Sequence, residues 1–132
     1  MSRAIITKIG QKKLCKAHAG ALSLPAITQM AWGDGGIDED GEPKEVTGEE
    51  TTLYQECIRK AIEGYECEGD YETACRYYAS LGAAELAGKA ISEVGLIDAE
   101  GDLVMYKTMP AFTKPEDVAL EYDITEVFEE GE

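Results

Sequence analysis

Apolar and polar positions are patterned most clearly in the last third of the chain. ISEVGLID at 91–98 and LVMYKTM at 103–109 are apolar-rich runs joined by AEGD, a short polar turn containing glycine, and together they predict a β-hairpin. Pro110 and Pro115 bracket a predicted loop. Beyond it Leu120, Tyr122 and Ile124 alternate with Glu121, Asp123 and Thr125, a strand with one apolar and one acidic face, as in an antiparallel sheet wetted on one side. Near the start Ile6, Gly10, Leu14 and Ala17 recur at helical spacing, with Thr7 placed to cap the helix and Gly20 to stop it. After Pro25, Ile27, Gln29 and Ala31 alternate against Thr28, Met30 and Trp32, predicting a strand that ends in the glycine-rich GDGG at 33–36.

The middle is less decided. Residues 38–50, DEDGEPKEVTGEE, hold seven acids and one base with almost nothing to bury, so 34–50 reads as a solvated acidic loop. From 47 to 65 two periods compete. Thr47 and Glu50 form a capping box ahead of a helical stripe of Leu53, Cys57 and Ala61 with Tyr54, Ile58 and Ile62. Yet Ile58, Lys60 and Ile62 also alternate with Arg59, Ala61 and Glu63. ECEGD at 66–70 then makes a turn before the alternating run Tyr71, Thr73, Cys75, Tyr77, Ala79 and Leu81. A short helical turn leading into a hairpin accommodates both patterns. No period of 20–50 residues recurs, which sets solenoids and propellers aside. The expected fold is α+β: one domain over 1–132, with an N-terminal helix packed on a mostly antiparallel sheet, a C-terminal hairpin and a final strand. Residues 129–132 are expected to be disordered.

Charge narrows the partners. Twenty-seven acids against 12 bases give a net charge of −15, which repels a phosphate backbone and argues against a nucleic-acid partner. The imbalance is uneven, because residues 1–33 carry Arg3, Lys8, Lys12, Lys13 and Lys16 and no acid. Lys12, Lys13, Lys16 and His18 fall near the negative pole of the predicted helix, where a solvated face explains them; docking on an acidic neighbour is the alternative. The opening MSRAIITKIGQKK lacks the long apolar stretch of a signal peptide, and no run reaches the roughly 18 apolar residues of a membrane span. Synthesis in a reducing cytoplasm, with no membrane partner, is the resulting expectation.

Chemistry-bearing patterns are sparse. Cys15, Cys57, Cys67 and Cys75 contain no C-x-x-C pair and His18 is the only histidine, so zinc lacks ligands. Reduced, buried thiols are expected, with a Cys67–Cys75 bond as the alternative. Asp38, Asp40 and Gly41 copy the middle of an EF-hand loop, but that register puts Gly36 and Thr47 where two essential carboxylates belong. Nucleophile elbow, Walker loop, dinucleotide fingerprint and metal-binding histidine pair are all missing from the sequence, and Cys15 with His18 lacks an orienting third group. No catalytic, cofactor or metal residue is expected. Glu93, an acid among apolar neighbours, is expected on the wet face of its strand, with a buried pairing to Arg59 or Arg76 as the alternative.

Residues 85–128, ELAGKAISEVGLIDAEGDLVMYKTMPAFTKPEDVALEYDITEVF, resemble the C-terminal half of the N-terminal domain of phage tail-collar and tail-fibre proteins, also found in phage-like particles. The hallmark is an I-x-E-[VI]-G-L-[FIY]-D strand, an acidic glycine-containing turn and a second strand through D-L-V. Ile91, Glu93, Val94, Gly95, Leu96, Asp98, Gly101, Asp102 and Leu103 match it. ITKIGQKKL is similar to the family's opening helix, ITQMAWGDGG to its next strand and turn, and LYQECIRKAI to the segment that follows. The resemblance implies a structural part of a virion tail or phage-like particle, made in the bacterial host cytoplasm, that attaches a collar or fibre to the baseplate. It also implies other tail or baseplate proteins as partners, a homo-oligomer with a trimer among the options, and no catalytic residues or cofactor. Family members commonly continue into a fibre shaft and receptor-binding tip, whereas this sequence stops at Glu132, so it is not expected to reach a distant receptor itself. The competing reading is an acidic phage protein that mimics DNA or inhibits a host enzyme. The bunching of the carboxylates in one loop and at hairpin turns, rather than along one face, argues against it.

Overall fold

The computed structural model describes residues 4–128, so the expectation for 129–132 lies outside the described residues. The elements run β1 (Ile5–Ile6), α1 (Lys8–His18), β2 (Ile27–Gly33), β3 (Glu56–Ala61), β4 (Gly64–Glu68), β5 (Ala74–Leu81), β6 (Ala90–Asp98), β7 (Leu103–Thr113) and β8 (Leu120–Val127). They form a five-stranded sheet ordered β1-β7-β6-β2-β3 and a three-stranded sheet ordered β4-β5-β8, with every pairing antiparallel. This corrects the α+β expectation: the described residues are mostly β, with α1 their only helix. The helical stripe over 53–62 loses to β3, whose pairing with β2 sets Lys60 opposite Met30 and Ile58 opposite Trp32. Met30, Ala31 and Trp32 are fully buried, and without β3 their strand would leave backbone donors and acceptors unpaired on that side. The loop bracketed by Pro110 and Pro115 is corrected too. β7 continues through Pro110, which sits where the β6–β7 register shifts between Ile91 and Glu93, and a bulge needs no ladder N–H there.

The predicted hairpin is β6–β7, and the final strand is β8. The helix is capped as its sequence indicates. Thr7 Oγ1 accepts from Gly10 N at 3.1 Å, and Gly20 takes a φ of +80° just past the C-cap. Thr7 is also the helix's anchor: its hydroxyl donates to Leu103 O at 2.7 Å and its N–H to Val104 O at 3.0 Å. The helix lies so close to β7 that a Cβ on Gly10 would come within 2.6 Å of Val104 O. In an exposed helix Gly→Ala stabilises by about 1 kcal/mol. Here the clash is with backbone and reverses the sign, so Gly10→Ala is expected to destabilise by roughly 2 kcal/mol, read as a lower urea midpoint at unchanged slope.

Apolar residues fill both faces of the five-stranded sheet. Met30, Trp32, Val94, Leu96 and Met105 pack towards Ala79, Leu81 and Ile124 of the smaller sheet. On the other face Ala31, Ile97, Leu103 and Tyr106 are covered by Leu53 and Val46. The segment read as a solvated acidic loop is therefore a strap: its exposed acids face water while Val46, Gly48 and Glu50 turn inward.

Candidate functional site

The ISEVGLID strand supplies two buried carboxylates, and each fastens a different part of the fold. Glu93, in the middle of β6, is fully buried. Its Oε1 accepts from Tyr54 N at 2.8 Å and from the Tyr106 hydroxyl at 2.5 Å; its Oε2 accepts from Gln55 N at 2.8 Å and Gly35 N at 3.0 Å. Next to it Ser92 Oγ accepts from Gly36 N at 2.9 Å. The glycine turn after β2 is thus drawn onto β6, and a Cβ on Gly33 would sit 2.5 Å from Glu93 Oε2. Both expectations for Glu93 are corrected. It is not on a wet face, and it meets neither arginine: Arg59 pairs with Glu56, and Arg76 with Glu66, Glu68 and Asp123. Four donors satisfy the carboxylate without a cation. Burial, and then the Glu93 carboxylate beside it, push the Tyr106 phenol far above its usual range, so it remains a donor.

Asp98, at the end of the same strand, shapes the turn. Its Oδ1 accepts from Glu100 N and Asp102 N, both at 3.0 Å, and Gly101 takes the left-handed φ of +88° that the turn requires. Its Oδ2 lies 2.6 Å from Lys13 Nζ, which also meets Glu100 at 2.8 Å and Asp102 at 2.6 Å. The three carboxylates lie within 4.8 Å of one another, as cation ligands do, and the cation among them is the Lys13 ammonium. Burial pulls the Lys13 pKa down, but hydrogen bonds to Asp102, Asp98 and Glu100 outweigh it and the net shift is upward. A similar competition holds Glu50 below the usual carboxylate range: burial raises it, and the N–H groups of Thr47 and Gly48 lower it further. The Thr47–Glu50 capping box forms in hydrogen bonds while the chain beyond it stays extended.

The other motif residues serve the hairpin. Ile91, Leu96 and Leu103 are buried, and a Cβ on Gly95 would lie 3.0 Å from Met105 O. Of the three lysines considered for docking, Lys12 and Lys16 are exposed, with Lys8 one turn before them, but Lys13 is taken by the hairpin turn. The thiols differ from expectation as well: Cys15 and Cys67 are exposed, and Cys57 and Cys75 are half-buried. Tyr106, and the backbone of Gly35, Tyr54 and Gln55, had no signal in the sequence. Lys13 had one, since it falls three residues after Gly10, beside the stripe that faces the sheet.

One free edge and one cleft lie together on the opposite side. Phe128 N donates to Thr73 O at 2.9 Å, and Glu63 N donates to Tyr78 O at 2.8 Å. Backbone groups alternate sides along a strand, so odd-numbered residues of β5 bond towards β8 and even-numbered ones towards β4. In the β5–β8 register Tyr77 faces Ile124 and Cys75 faces Glu126. Glu121, Asp123, Thr125 and Val127 therefore direct their backbone groups away from β5, to an edge that no described strand pairs. Beside that edge opens a cleft of about 720 Å³, whose lining includes Ile5, Ile6, Met105, Ile124 and Val127 together with Lys8, Lys107 and Asp123. It separates β8 from the short β1 at the rim of the larger sheet.

Comparison with curated proteins and with solved structures gave no match. A family model described as phage tail-collar fibre protein, N-terminal, matches residues 1–125, nearly the whole chain. The protein belongs to the phage tail-collar fibre N-terminal family and is a structural part of a phage tail.

Proposed function

We propose that this chain joins a collar or fibre to the baseplate by protein–protein assembly, without catalysis, and that the joint is the free edge of β8. The edge that no described strand pairs, beside a cleft of mixed apolar and charged lining, carries this reading, because an added strand would satisfy the edge and enter the cleft at once. The occupant is an extended segment of a neighbouring tail protein with alternating side chains. Its apolar residues would meet the accessible cleft residues Ile5, Ile6 and Val127, and its basic residues would lie beside Glu121 and Asp123. In this reading the ISEVGLID residues are the frame that holds the edge, and Lys12 and Lys16 are open to an acidic neighbour. The protein is made in the host cytoplasm and carried in the tail, with its copy number set by the assembly. The DNA-mimic alternative has less support: Glu93, Asp98, Glu50 and Glu85 are all engaged by donors within the chain.

Mass spectrometry of gradient-purified particles tests the role, and Thr125→Pro tests the surface. The wild-type chain is expected at a fixed ratio to the tail-tube protein; absence from particles while abundant in producing cells would sink the structural reading. Proline at 125 removes an N–H that faces the free edge and leaves the β5 ladder intact. The variant is expected to fold with Tm within about 3 °C of wild type and to fall at least tenfold in incorporation. Full incorporation of a folded variant would rule out β8 as the joint.

A further inference from the structure

We propose that Cys67 and Cys75 are a built oxidation site, poised to form a disulfide across the β4–β5 hairpin when the protein meets a disulfide oxidant. The two residues are register partners on adjacent antiparallel strands. The same two hydrogen bonds that define the β8 edge also fix the kind of pair. Thr73 O bonds towards β8 and Tyr78 O towards β4, so Cys75, odd-numbered, directs its backbone to β8 and faces Cys67 as a non-hydrogen-bonded pair. Such pairs bring the Cα atoms to about 4.5 Å with side chains close together, inside the 4.4–6.8 Å range that a disulfide spans. Register and pair type therefore both meet the geometric requirement.

The two sulfurs differ in access. Cys67 is exposed and is the atom an oxidant in solution reaches first, whereas Cys75 is half-buried against Tyr77. With oxidised glutathione the Cys67 thiolate attacks one sulfur of the oxidant and expels one glutathione thiolate, leaving a mixed disulfide. Cys75, after losing its proton to water, then attacks Cys67 Sγ and expels the second glutathione. Two protein thiols are oxidised, one oxidant disulfide is reduced to two thiols, and the protons released from the cysteines end on the glutathione or in water. The bond would close a short loop and tie down β4, which among the described strands pairs only with β5 and whose residues from Tyr65 to Glu68 are all exposed. It would also hold the hairpin tip, where Tyr71 is 88 % exposed, without disturbing either face of the larger sheet. Cys15 lies on α1, and Cys57 falls at the β2–β3 register shift with no thiol opposite, so both serve as internal controls.

The test is native-state oxidation of the full chain with oxidised glutathione, followed by thiol counting in denaturant and peptide mapping. Free thiols are expected to fall from four to two, the mass to drop by about 2 Da with no lasting glutathione adduct, and the cross-linked peptide to join Cys67 to Cys75. The oxidised protein should melt roughly 5 °C higher than the reduced one. Cys75→Ser should instead retain glutathione on Cys67, because the displacing sulfur is gone. Persistence of all four thiols, a stable adduct on the wild type, or bonds to Cys15 or Cys57 would overturn the proposal. Because the readout is chemical, it is independent of whether the chain is found in particles.

Discussion

Glu93→Gln is expected to cost about 3 kcal/mol of folding free energy and roughly 10 °C of Tm, although the side chain keeps its size. The carboxylate offers two acceptor oxygens to three backbone N–H groups and one phenol, all on a fully buried residue. The amide presents an NH₂ to donors that cannot turn away, so at least one buried backbone N–H loses its partner. An unsatisfied buried donor costs about 1–3 kcal/mol, against about 1 kcal/mol for an ordinary hydrogen bond. Tyr106→Phe removes a donor and leaves the carboxylate with its three N–H partners, so the smaller loss of about 1–2 kcal/mol is expected. Urea unfolding of the two single variants and the double variant would show coupling between the sites. Glu93→Gln within about 0.5 kcal/mol of wild type would mean that the strap is held by its apolar contacts alone.

Lys13→Met should be as damaging, by about 3–5 kcal/mol, because it removes the ammonium and leaves Asp98 buried and unpaired beside two further carboxylates. Asp98 has only 2 % of its side chain exposed, so water offers little relief. Lys12→Glu, on the exposed side of the same helix, is expected to stay within about 0.5 kcal/mol of wild type. The pH dependence has a definite sign. The folded-state pKa of Lys13 is raised above its unfolded value of about 10.4, so the pair's contribution is complete below that pH and is lost as pH rises through the folded value. The stability gap between wild type and Lys13→Met should therefore be flat from pH 7 to about 10 and narrow only above it. A gap that closes already near pH 8 would show that the ammonium is not held by the three carboxylates.

Several elements were legible because their signals are local. Thr7 and Gly20 bound the helix by backbone capping, which needs only neighbouring residues. The β6–β7 hairpin follows from a two-residue period and a glycine turn, and β8 from strict alternation. The likeness to the tail-collar family rests on the same hairpin, and the family match covers it. The open and the mistaken readings occurred where a distant partner decided. Residues 53–62 satisfy both periods, and the open side of β2 selects the strand. Pro110 reads as a strand breaker until the register shift opposite Ser92 gives it a bulge to occupy.

Glu93 and Lys13 show the same division at the level of side chains. A lone acid on a strand and a lysine on a helix both read as solvated, because propensity and charge place them in water by default. Their partners come from 13 to 89 residues away in the chain: Tyr106, Tyr54, Gln55 and Gly35 for Glu93, and Asp98, Glu100 and Asp102 for Lys13. Most of Glu93's donors are backbone N–H groups, which every residue carries and no sequence pattern marks. The sequence by itself determined the acidic character, the capped helix, the C-terminal hairpin and strand, and the family. Only the tertiary structure decided that the fold is two antiparallel sheets, that the acidic loop is a strap, and that two carboxylates are internal fasteners. Burial and hydrogen-bond satisfaction are properties of what the rest of the chain brings to a residue, not of the residue's own neighbours in sequence.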